Sequence, residues 1–146
     1  LSAVFAIAYI VAEIAHLWGL LGPHGSPLSL ILRMVPSLLL APSFVVLMVS
    51  IHHYASEEKK IWSHVGLAFA IIYAVLVSVI YFVEMTVVVP PLQRGESDKV
   101  ALLIFDPFTS FMYAIDVLGY GFMSLATLFV APVFAGRKLE RWIRWA

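Results

Sequence analysis

Glu13, His16, Arg33, Glu84 and Asp116 are ionisable residues set inside otherwise hydrophobic stretches of the chain. A charged side chain in hydrocarbon costs ~2.5 kcal/mol or more on insertion scales, so such groups persist where interior partners or water offset the cost. Their types suit acid/base and ion-binding chemistry. Carboxylates accept protons or cations, histidine titrates near neutral pH, and arginine stays charged and can clamp a carboxylate through two parallel hydrogen bonds. With His16 neutral, three acids face one guanidinium. Two carboxylates about 5 Å apart repel by roughly 3 kcal/mol at an effective dielectric of 20, so a proton, a metal ion or a cationic substrate is expected to join them.

The elements that must hold these groups are hydrophobic helices. Of the 146 residues, 62% are hydrophobic and 12% are charged, and the mean hydropathy is +0.98. A soluble domain of this size has no core large enough to hide so much apolar surface. The expected fold is therefore an all-α integral membrane protein, a single domain of four transmembrane helices in an up-down bundle with short loops. Cysteine is absent, which excludes disulfides and thiolate metal sites. The Lys and Arg residues balance the Asp and Glu residues, nine against nine, and nothing points to nucleic acid. No initiator Met or basic leader opens the chain, so it is expected to begin partway into a longer natural sequence. Glu13 and His16 interrupt residues 1–21, which are not expected to be a signal peptide.

Four segments are predicted, at about 1–21, 28–54, 61–89 and 108–135. The first stops at Gly22-Pro23-His24-Gly25-Ser26-Pro27 and the second at Ser56-Glu57-Glu58-Lys59-Lys60. Pro90-Pro91 is expected to terminate the third, and Asp106-Pro107 to cap the fourth as N-cap and first-turn proline. Each exceeds the ~20 residues needed to cross the hydrocarbon core. Pro36, Pro42 and Pro132 are expected to kink the second and fourth. Residues 100–105 are too short to span and should be interfacial or packed over the bundle mouth. Residues 136–146 alternate basic and aromatic residues, as an interfacial anchor does.

Lys59, Lys60, Arg137, Lys138, Arg141 and Arg144 fall on one side of this topology, and only Arg94 and Lys99 on the other. The positive-inside rule then makes both termini of this multi-pass protein cytoplasmic. Counting inward from the other side at 1.5 Å per residue gives roughly 12 Å for Glu13, 8 Å for His16, Arg33 and Glu84, and 10 Å for Asp116. Angular position agrees. Ala6, Tyr9, Glu13 and His16 share one face; Ser29, Arg33 and Ser37 a second; Gly66, Ala70, Tyr73, Tyr81 and Glu84 a third; Thr109, Tyr113, Asp116, Tyr120 and Thr127 a fourth. Polar stripes turn away from lipid, so these four should meet in an outward-opening pocket above a floor of small residues.

The expected function is a pocket of Glu13, His16, Arg33, Glu84, Asp116, Tyr9, Tyr81, Tyr113 and Tyr120 that binds or moves a small cationic or protonatable ligand. Two alternatives use the same residues: a buried network fixing helix register in an accessory subunit of a larger membrane complex, and an intramembrane acid/base enzyme acting on a lipid-like substrate. The sequence does not decide whether the chain is an enzyme, and it names no cofactor. Glu13-x-x-His16 with Glu84 and Asp116 is a weak metal candidate, because half of the paired Glu-x-x-His pattern of di-iron bundles is missing and Arg33 repels a dication. His52, His53 and His64 form a second cluster, expected to be ordinary interfacial histidines. The expected partners are the lipid bilayer and either further copies of the chain or other membrane subunits.

Overall fold

The structure, a computed structural model, describes residues 2–19, 27–106 and 108–134, and within these the side chains of residues 2, 13, 16, 17 and 27–33 lie outside the description. The described residues are 86% helical with no strand. Helix α1 spans Ser2–Leu17, α2 Pro27–Tyr54, α3 Lys60–Val83, α4 Val89–Gln93 and α5 Phe111–Val130. A π-helical turn, Glu84–Val88, joins α3 to α4, and 3-10 turns occupy Glu57–Lys59, Ser97–Val100 and Ala131–Phe134.

Among the described residues, three stretches are long and apolar enough to cross a membrane: Met34–Tyr54, Glu57–Gln93 and Phe111–Phe134. The first helix is shorter than expected. It ends at Leu17 in a turn at Trp18–Gly19, where Gly19 takes a φ of 71° that favours glycine. Its 16 residues cover about 24 Å, less than the hydrocarbon thickness of ~30 Å.

Two further boundaries differ from expectation. The third helix does not stop at Pro90-Pro91 but continues through them to Gln93 as a 37-residue rod. Proline has no N–H and its ring clashes with the carbonyl four residues back. Widening the preceding turn, so that the Val89 N–H bonds the Glu84 carbonyl, accommodates the pair without ending the helix. The fourth helix is capped by Ser110, not by Asp106. Ser110 Oγ accepts from the Tyr113 N–H at 3.1 Å and from the Asp106 N–H at 3.0 Å, while the Asp106 carboxylate takes the Thr109 hydroxyl.

Helix α3 is central. It packs on α2 along one side and on α5 along the other, and α1 packs on α2. An up-down ring also needs α1 against α5. Among the described residues α1 and α5 share no contact comparable to those of α1 with α2 or of α3 with α5. The core lies along α3, where Ala70, Tyr73, Val77 and Tyr81 meet Ala41, Phe44 and Met48 of α2 and Ala126 and Val130 of α5. Gly66 is what lets α5 come so close, since a Cβ there would lie 2.6 Å from Val130 Cγ1 and 2.9 Å from the Ala126 carbonyl oxygen. The outer faces are apolar, with Val46, Val75, Val79, Phe82, Leu118 and Leu128 among the exposed residues.

Candidate functional site

The α3 face marked out by Gly66, Ala70, Tyr73, Tyr81 and Glu84 is buried throughout. Ser37 of α2 and Asp116 of α5 are buried against it. Three helices thus contribute polar groups at one level, and the central position of α3 is what brings them together.

Tyr81 lies within hydrogen-bonding reach of both Asp116 and Ser37. Tyr120, one turn from Asp116 on α5, lies within reach of Tyr73, Tyr81 and Ser37. The rings of Tyr73 and Tyr120 are tilted at 56° with centroids 5.6 Å apart, and Phe44 sets its ring at 86° to Tyr73, also at 5.6 Å. Tyr9 of α1 lies near enough to Tyr73 and Tyr81 to interact with them electrostatically. Proximity does not amount to satisfaction here. The hydroxyls of Tyr73 and Tyr120 and Oδ1 of Asp116 are buried without a hydrogen-bond partner of good geometry among the described residues. Asp116 is 7% exposed and Tyr73 fully buried.

Glu84 has different neighbours. It is 2% exposed, opens the π turn, and lies within reach of the Phe105 backbone, with Oε1 left unpartnered. Asp116 sits among tyrosines, whereas Glu84 sits under the segment that joins α4 to α5. The Phe105 segment carries the interfacial character expected of residues 100–105 in mixed form: Val100 is buried while Leu102 is 85% exposed. Tyr113 belongs to this layer as well, with Phe105 at 5.7 Å and Phe108 at 5.1 Å.

Among the described residues, ion pairs occur only near the helix ends: Lys60 with Glu57 at 2.5 Å, and Glu96 with Lys99 at 3.0 Å and Arg94 at 3.5 Å. Glu13, His16 and Arg33 fall outside the described side chains, and with them the guanidinium clamp and the Glu13-x-x-His16 ligand pair. No group of three or more His, Cys, Asp or Glu residues that could hold a metal occurs among the described residues.

The structure adds detail at two places the sequence had marked out. His52 Nδ1 lies 2.8 Å from Ser63 Oγ, and that hydroxyl already donates to the Lys60 carbonyl. One hydroxyl proton serves one acceptor, so when Ser63 donates to the Lys60 carbonyl, His52 Nδ1 is the donor to Ser63. His64 approaches edge-on at 5.5 Å, while His53 faces outward. Tyr73 was not among the residues expected to line the pocket, although its place on the Tyr81 face was the available signal. Of the hydroxyls nearer the Lys59 end, Ser50, Ser124 and Thr127 are exposed and bond to carbonyls of their own helices. They do not extend the polar interior toward that end.

Comparison with protein-family models, with curated proteins and with solved structures returns no match for this chain, so its site is interpreted from its own chemistry.

Proposed function

We propose that this is a multi-pass membrane protein whose interior site, centred on Asp116 with Tyr73, Tyr81 and Tyr120, binds or moves a small cationic or protonatable ligand. The observation that carries the reading is the set of buried oxygens without partners: Tyr73 Oη, Tyr120 Oη, Asp116 Oδ1 and, one layer away, Glu84 Oε1. Each such group costs ~1–3 kcal/mol when buried unsatisfied. A network that serves only to fix helix register gains from having every member bonded. Oxygens held open in the core are what a ligand that donates hydrogen bonds or carries positive charge requires.

The accessory-subunit alternative draws on the sparse contact between α1 and α5 among the described residues and on the apolar outer faces. The acid/base enzyme alternative pairs a protonated carboxylic acid with a neighbouring carboxylate or histidine as base; Glu84 and Asp116 have different surroundings, and the His16 side chain lies outside the description. The excess of Lys and Arg at the Lys59 end supports placing that end in the cytoplasm.

Native mass spectrometry of the protein released from membranes tests the reading. The wild-type chain should carry a small cationic adduct that Asp116→Asn loses while remaining folded. Identical, adduct-free spectra for both would overturn it.

A further inference from the structure

Resting on that reading, we propose that the Asp116 site selects a compact monovalent cation of the alkali type, held by the carboxylate together with the hydroxyl oxygens of Tyr73 and Tyr120. Three features of the site lead there. First, the donor set is oxygen only. Tyr73, Tyr81, Tyr120 and Asp116 present no nitrogen or sulfur, which suits hard ions and not the softer transition metals.

Second, among the described side chains the charge at the site is that of a single carboxylate. Asp116 is surrounded by neutral phenols, and no ion pair reaches it among the described residues. One positive charge neutralises it, whereas a dication would leave net positive charge in a low-dielectric interior, where such charge is costly. Third, the unpartnered atoms converge from two helices. Tyr73 Oη comes from α3, and Asp116 Oδ1 and Tyr120 Oη from α5; Tyr120 lies within reach of Tyr73, and Tyr81 within reach of both Tyr120 and Asp116. Tyr73 and Asp116 are more than nine-tenths buried. An ion seated there satisfies all three oxygens at once and bridges α3 to α5.

The test is cation-dependent unfolding of the full chain in detergent at constant ionic strength, with N-methylglucamine chloride exchanged for NaCl or KCl. An ion that binds only the folded state raises the unfolding midpoint by mass action. The midpoint should rise with NaCl or KCl for the wild type. The half-effect concentration should increase at least tenfold in Tyr73→Phe and in Tyr120→Phe, which keep the rings and remove one oxygen each. Asp116→Asn should show no rise. The readout is the difference between salts for each variant, so a change in absolute stability does not obscure it. Equal midpoints in all three salts, or a rise that persists in Asp116→Asn, would overturn the proposal. If the salts are equivalent while an Asp116-dependent adduct remains in native mass spectra, this inference fails and the broader binding role stands.

Discussion

Tyr81 of α3 and Asp116 of α5 meet in the core, and Tyr81 is the donor within reach of a carboxylate whose other oxygen, Oδ1, has no partner. Tyr81→Phe removes that donor at nearly constant volume. The variant should lose about 1–3 kcal/mol of stability, the cost of leaving a buried acceptor unsatisfied. Adding the ligand should restore part of the loss. Chemical or thermal unfolding in detergent, with and without ligand, measures both effects.

Close packing of α3 on α5 yields a graded glycine series. Gly66→Ala should destabilise by about 1–3 kcal/mol, because the new methyl meets Val130 and the backbone oxygen of Ala126, which cannot yield. Gly119→Ala should cost less, since its nearest contact is Val77 Cγ2 at 3.1 Å, a side-chain methyl. Gly121→Ala meets nothing within 4 Å and should be neutral or stabilising by up to about 1 kcal/mol from helix propensity. Unfolding midpoints of the three variants give the order directly.

The π turn ties Glu84 to the proline pair. Replacing Pro90 and Pro91 with alanine returns two N–H donors, and the helix can then close as α. The double variant should gain stability and shift the face that Glu84 presents to Phe105, so amide exchange at Phe105 should speed up. Unchanged exchange would show that the prolines do not set the turn.

Lys59 spans 74 residues of sequence to donate to the Val133 carbonyl at 3.2 Å. This ties the α2–α3 turn to the end of the fourth helix, where a cation complements the helix dipole. Lys59→Met should cost about 0.3–1 kcal/mol, and the cost should shrink in high salt.

Much of this was readable because hydrophobic length and angular period are local properties. The face Gly66, Ala70, Tyr73, Tyr81, Glu84 follows from a helical repeat alone, and each of those residues is buried. The 56–60 turn was equally plain from its charges. What escaped depends on contacts that period cannot encode. Proline usually ends a helix, yet a single widened turn at Glu84–Val88 carries the chain through Pro90-Pro91. Asp106-Pro107 looks like a helix start, but the Ser110 hydroxyl satisfies both the Tyr113 and the Asp106 N–H groups, and the helix begins later. Depth along separate helices put Glu84 and Asp116 at one level, while lateral packing assigned one to the Phe105 backbone and the other to the tyrosines.

The most direct test of a ligand-binding interior is uptake by proteoliposomes containing purified wild-type or Asp116→Asn protein, with cation and proton entry followed together. The account expects flux or saturable retention in the wild type that Asp116→Asn abolishes while its helical content and unfolding cooperativity survive. Equal traces from the two proteins and from empty vesicles, with the substitution altering stability alone, would contradict it.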